Sequence, residues 1–331
     1  MEVVEPARYG QAVALTGITQ DVTVLLGYLL GALALGVADP STALALNAAT
    51  FVASAAVLSR LPALPSRDPA PAGASQHPVP ARTDAGLRAA TAFVLGDRVV
   101  RRAVVLTLVA TFSATASETL LVVFAVRDLA GAVWVAPVLL AATTGLTLLG
   151  TTRVPLEGGS AYLLDVTARL TAVPALLVTG VAASAWAVTQ AAAPGAAVLD
   201  GPLVGGPGVA WVAAALGAVA FLLAGLLFVA TTPANVVGGP RLPRHLRAVA
   251  ISVIVGATTG GQALAAVVAG GLADVLPVHL ALVVVMAPAV IVGGVLLVRR
   301  LPDKQADGTT GSTAGTAGTA GTAAPAVILA A

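Results

Sequence analysis

The chain has no cysteine, so it holds neither a disulfide framework nor a thiolate metal site. Charge is scarce as well. Charged residues make up 10% of the 331 positions and hydrophobic ones 58%, against about 25% charged in ordinary soluble domains. That balance argues against a soluble fold. Motifs of nucleotide-driven and hydrolytic chemistry are absent too: there is no Gly-x-x-x-x-Gly-Lys-Ser/Thr, no His-Glu-x-x-His and no Gly-x-Ser-x-Gly. His77, His245 and His279 stand in loops or at the ends of apolar runs, without a second ligand at metal-binding spacing. Neither an enzyme nor a bound metal or cofactor is expected. The pI is near 9.5, but the net charge is only +2 and the basic residues flank apolar runs. Membrane topology explains them better than a nucleic-acid partner does. The opening Met1-Glu-Val-Val-Glu5 has no basic n-region, so no cleaved signal peptide is expected.

What is present is a set of long apolar segments. A helix needs about 20 apolar residues to cross a bilayer, and eight segments qualify, near 13–37, 42–59, 103–126, 132–152, 170–190, 209–232, 248–273 and 279–298. They lack the polar–apolar alternation of barrel strands. The expected fold is therefore an all-α, polytopic membrane helical bundle of about eight transmembrane helices. Two spans precede the stretch Leu61–Arg102 and six follow it. Prolines at 62, 65, 69, 71, 78 and 80 make residues 62–83 an extended linker. From Asp84, Leu87, Thr91 and Val94 recur at helical spacing, which suggests a short helix on the membrane surface. The expected division is a two-helix unit at 1–61, the linker at 62–83, a surface helix plus six-helix bundle at 84–301, and a disordered low-complexity tail at 302–331, with Thr-Ala-Gly repeats.

Arginine placement sets the expected orientation. With the N-terminus in the cytoplasm, every one of the 17 basic residues except Arg127 falls on the cytoplasmic side. A multi-pass protein of the cell membrane with both termini cytoplasmic follows from that bias.

Several stretches taken together resemble the major facilitator superfamily, in particular its bacterial exporter branch. That family has twelve helices in two six-helix halves joined by a long cytoplasmic loop, each half a pair of three-helix inverted repeats. Asn47-Ala-Ala-Thr-Phe-Val-Ala-Ser54 followed by Arg60-Leu-Pro resembles the family's sixth helix. Gly86-Leu-Arg88 and Asp97-Arg-Val-Val-Arg101 resemble the approach to its seventh. Asn235, Pro243-Arg-His-Leu-Arg247 and Gly270-Gly-Leu-Ala-Asp274 resemble the tenth–eleventh loop and the eleventh helix. The first span matches the fifth helix, where the exporters often carry Gly-Pro-x-x-Gly-Gly. Here Gly27 and Gly31 are kept, while Tyr28 stands for the proline and Ala32 for the last glycine. Arg247-Ala-Val249 lacks one arginine of the family's Arg-Gly-Arg. The resemblance covers roughly residues 5–300. The family's first four helices, with their acidic–arginine loop, have no counterpart. A start internal to a longer gene is the favoured explanation. A separate chain carrying the missing helices, or a remnant without activity, is the alternative.

Candidate site residues are the polar ones inside the spans. Glu118 shares a helical face with Thr111 and Thr115 and lies next to Ser117. That stripe suits a substrate or proton path, or else hydrogen bonding between helices. Asp21, beside Gln20, lies well inside the first span, where a carboxylate usually faces a cavity or partner, unless it stays wet at the interface. Gln262 sits mid-span and suits substrate contact or helix–helix bonding. Gly27, Gly31, Gly260 and Gly261 suit close helix packing. Arg247 belongs to the loop that resembles the family's gate. Asn47 reads as helix glue, and Trp134, Trp186 and Trp211 as interfacial anchors. The resemblance implies a secondary transporter that exports small molecules by alternating access in exchange for protons. Its expected partners are then the lipid bilayer, a small-molecule substrate and protons. A non-transporting membrane scaffold, or one subunit of a split transporter, is the other expectation.

Overall fold

The computed structural model describes residues 9–37, 40–60, 84–129, 134–154, 158–191, 207–243 and 246–299. Among them, 93% are helical and none lies in a strand. In chain order the helices are α1 (Tyr9–Val37), α2 (Pro40–Ser59), α3 (Asp84–Gly96), α4 (Arg98–Arg127), α5 (Val135–Arg153), α6 (Ser160–Ala191), α7 (Pro207–Ala224), α8 (Leu226–Val229), α9 (Thr231–Arg241), α10 (Arg247–Val275) and α11 (Val278–Val298). The protein is an all-α bundle. Seven stretches are long and apolar enough to cross a membrane, with α7 to α9 supplying one of them, Trp211–Gly238. It is a multi-pass membrane protein by the length and composition of these helices. The span expected at 42–59 forms α2, but its apolar stretch Leu44–Val57 falls short of that length among the described residues. The proline-rich linker, the repeat tail, His77 and His245 lie outside the described residues, as does the side chain of Asn47.

The short helix expected from Asp84 is present as α3, and its boundary with α4 is chemically explicit. Asp97 is extended and its carboxylate accepts from the backbone N–H groups of Val99 and Val100 at 2.8 and 2.9 Å. This N-cap satisfies donors that the first turn leaves unpaired. The Arg101 guanidinium donates to the Leu95 carbonyl at 2.8 Å, which closes the end of α3. The inward face of α3 is Ala90 and Val94, packed with Val100, Leu242 and Ala250. Leu87, expected on that face, is 52% exposed.

The packed centre is built by α4, α6, α7, α8, α10 and α11. It is rich in alanine, with Ala114, Ala175, Ala182, Ala220, Ala265 and Ala281 buried beside Phe124, Phe221, Leu227 and Met286. Small residues let helices approach where lipid removes the hydrophobic drive for association. The broadest contact joins α6 to α11. There Gly293 leaves room for Ala172, whose Cα lies 3.1 Å from where a Cβ would stand. Hydroxyls serve the backbone. Ser113 donates to the Val285 carbonyl at 2.9 Å, next to the turn that Pro288 loosens. Thr147 donates to the Gly225 carbonyl at 2.7 Å, and Gly225 is where the helix breaks between α7 and α8.

Among the described residues, no neighbouring helix closes tightly on the expected packing glycines. Positions Gly27, Gly31 and Gly260 have open space where a side chain would stand, and Gly261 meets only Leu108 at 3.8 Å. The close approaches fall instead at Gly150, Gly217, Gly225 and Gly293. The reason is that α1 and α10 present their glycine faces outward rather than to a described neighbour.

Candidate functional site

Two ends of the bundle are distinguishable. Ser113 against Val285, and Phe124 against His279, run α4 and α11 antiparallel. One end gathers Arg98, Arg101 and Arg102 with Arg299, which acts electrostatically on Arg102. Arg241 at the close of α9 donates to the Ser160 hydroxyl at the start of α6, 2.9 Å away, so it joins the same end. We call this the inner end. The outer end holds Arg127, Asp128, Asp274 and His279. The tryptophans agree with this division: Trp134 opens α5, Trp186 lies in the last turns of α6, and Trp211 lies near the start of α7, all toward the outer end.

Glu118 is half-buried in the second half of α4. Nine residues of helix separate it from Arg127, which sets it about 14 Å below the outer end of the helix. Its charge acts on the Tyr28 hydroxyl of α1. That influence crosses from α4 to α1. Tyr28 was not singled out from the sequence as a site residue.

The neighbours expected for Glu118 divide. Thr111 lies on nearly the same face, seven residues away, but its hydroxyl donates back to the Thr107 carbonyl at 2.8 Å. Thr115 is half-buried, and its carbonyl accepts from the Thr119 hydroxyl. Ser117 is 2% exposed and donates to the Ser113 carbonyl at 2.7 Å. It therefore follows Ser113 on the α11 side, about 100° round the helix from Glu118. Adjacent in sequence, Ser117 and Glu118 serve different surfaces.

Asp21 is elsewhere. Thr151, near the inner end of α5, lies in hydrogen-bonding reach of its carboxylate. Seven helical residues, about 10 Å, separate Asp21 from Tyr28. They share one face of α1, with the buried Ala32 further along it. Gln262 is half-buried on α10, beside the Gly261–Leu108 contact. Arg247 opens α10 and donates to the Leu242 carbonyl at 3.4 Å, while its buried Nε has no partner.

The outer end carries a cluster that the sequence does not announce. Arg127, the one arginine or lysine at this end among the described residues, donates to the Ala273 carbonyl at 2.6 Å and to Asp274 at 3.4 Å. A cation placed on the last carbonyls of α10 satisfies the helix terminus and its dipole. His279 is 6% exposed, with its ring 5.9 Å from that of Phe124. Partial desolvation holds the Asp128 carboxyl above its usual range, against the opposing pull of His279 and Arg127.

No group of three or more histidine or acidic side chains suited to a metal ion exists among the described residues. Comparison with protein-family models, curated proteins and solved structures finds no match. What the fold itself defines is a class: a multi-pass, all-helical membrane protein with a carboxyl placed deep between its helices.

Proposed function

We propose that the chain is a membrane transport protein of the major facilitator type, which exports small amphipathic molecules in exchange for protons by alternating access. The observation that carries this reading is Glu118, set deep in α4 and within electrostatic reach of Tyr28 on α1. A carboxyl at such depth costs a few kcal/mol to insert and marks an ion or substrate path by default. In this reading the contact of α1 with α5 is the seam between two bundles. Rocking at that seam exposes Glu118 to one side and then the other. Asp21 and Gln262 extend the path at other depths. Gly27, Gly31 and Arg247 act at the moving surfaces.

The uncovered faces support a second bundle, on a partner chain, as part of the working assembly. The side chains of Thr16, Thr19, Gln20 and Thr23 lie exposed on α1. The Thr19 and Thr23 hydroxyls fold back on the Leu15 and Thr19 carbonyls, which leaves the Gln20 amide without a hydrogen-bond partner among the described residues. A bare amide facing lipid is costly. α10 likewise presents Gly256, Thr259, Gly260 and Ala263 outward. The same faces favour the second reading, a subunit or scaffold whose role is assembly.

The test uses the purified protein in proteoliposomes with an imposed pH gradient and ethidium as the transported probe. Gradient-driven ethidium movement is expected, and Glu118→Gln abolishes it while ethidium still equilibrates down its own gradient. Wild-type vesicles that move no ethidium under any gradient would refute the transport reading for this chain and leave the assembly reading.

A further inference from the structure

We propose that the inner ends of α4 and α11 form a binding site for the phosphate headgroup of an anionic phospholipid. The site is independent of the transport reading. Arg98, Arg101 and Arg102 stand in the first turns of α4, and Arg299 caps the end of α11, which runs antiparallel beside it. Arg102 is half-buried and lies within electrostatic range of Arg98, Arg101 and Arg299. No carboxylate among the described residues pairs with Arg98, Arg102 or Arg299. The carboxylate next to Arg98 in the chain, Asp97, is occupied in capping α4. Like charges held together repel, and a doubly coordinated phosphate relieves that repulsion through charge-assisted hydrogen bonds. Part of the cradle is set in advance, because the Leu95 carbonyl holds the Arg101 guanidinium at 2.8 Å. The positive end of the α4 dipole points to the same place.

The surroundings select a lipid over a free anion. Directly along the two helices from Arg102 and Arg299, the side chains of Val105, Val295 and Val298 are exposed, Val298 at 86%. They form an apolar track where acyl chains of a lipid anchored at the arginines would lie. The neighbouring α3 shows Leu87 and Leu95 to its surroundings, as a helix seated in the headgroup layer does. General attraction of basic ends to an anionic leaflet requires no convergence. Here the half-buried Arg102 shares the adjoining ends of two helices with three other arginines, beside an apolar track, as in basic headgroup pockets between helices.

The experiment measures retention of phosphatidylglycerol by the full-length protein in detergent, by native mass spectrometry, with phosphatidylcholine as the neutral comparison. Wild type is expected to retain phosphatidylglycerol and not phosphatidylcholine. The pair Arg102→Gln and Arg299→Gln weakens retention about 30-fold, at about fivefold for each arginine lost near the surface. Arg153→Gln, an exposed arginine at the same end but outside the cluster, leaves it unchanged. The pair Arg102→Lys and Arg299→Lys keeps both charges and restores retention. Four results would overturn the proposal. They are unchanged retention in the glutamine pair, an equal loss in Arg153→Gln, displacement of the lipid by inorganic phosphate, or failure of the lysine pair to restore retention.

Discussion

Gly293 and Gly294 are neighbours on α11, and alanine at the two positions should act with opposite sign. Around Gly294 nothing lies within 4 Å of an added Cβ. Alanine there gains about 0.5–1 kcal/mol by removing backbone freedom from the unfolded helix. At Gly293 the added carbon would stand 2.9 Å from the Ala172 Cβ, 3.0 Å from its backbone nitrogen and 3.1 Å from its Cα. Two of those three atoms are backbone, so no rotamer change relieves the contact and the helices themselves must part. Overpacking of this kind costs about 1–3 kcal/mol. Set against the same helix gain, the net loss is about 1–2 kcal/mol. Thermal unfolding in detergent micelles, followed by helical circular dichroism, reads both. Gly294→Ala should melt about 1–4 °C above wild type and Gly293→Ala about 2–8 °C below it, at about 2–4 °C per kcal/mol for a domain of 150–250 residues. If Gly293→Ala melts higher than wild type, as Gly294→Ala does, the contact of α6 with α11 is not the one described and the bundle order fails with it.

Three further outcomes follow from single contacts. Thr147→Val keeps the shape but loses the bond to the Gly225 carbonyl; a stability loss of about 0.6–1 kcal/mol in the same melt is expected. Arg127→Gln uncovers the Ala273 carbonyl, so hydrogen exchange at the last turn of α10 should speed up while that of α6 stays unchanged. For Asp128, partial desolvation raises the folded carboxyl above its usual range. Its stabilising contribution is therefore present at low pH and lost as pH rises through the folded value. Asp128→Asn should melt above wild type at neutral pH and converge with it below about pH 4, by a margin that solvent screening keeps small.

The helical class, the short helix after the proline-rich stretch and the ends of most spans were legible because each depends on local composition. Long apolar runs admit one backbone solution in lipid, and Asp97 marks its helix start with its own side chain. The extent of α6 was harder to read. It begins at Ser160 rather than near 170 because Asp165 and Arg169, one turn apart, form an ion pair that carries the helix on past the apolar run. The break at Gly225 was hidden for another reason. A glycine in an alanine- and leucine-rich run gives no sign of whether a second helix will press on it. The same holds for Gly293 and Gly217 against Gly27 and Gly31, since a packing glycine is defined by its partner. Arg127 looked like an exception to the charge bias until α10 was seen to end beside it. The separation of Ser117 from Glu118 was readable in principle, because adjacent helical residues point about 100° apart.

The two buried carboxyls gain meaning from where α1 lies. Asp21 has Thr151 in hydrogen-bonding reach toward the inner end, and Tyr28 lies within electrostatic reach of Glu118 toward the outer end, on one face of one helix. Along that face the distance is about 10 Å, too far for the two acids to share a proton directly. α5, which packs along α1 and also touches α4, joins the two places as well. The Ser113–Val285 bond ties α4, the helix of Glu118, to α11. At Tyr28 α1 is unbroken helix, and the phenol lies within electrostatic reach of Glu118.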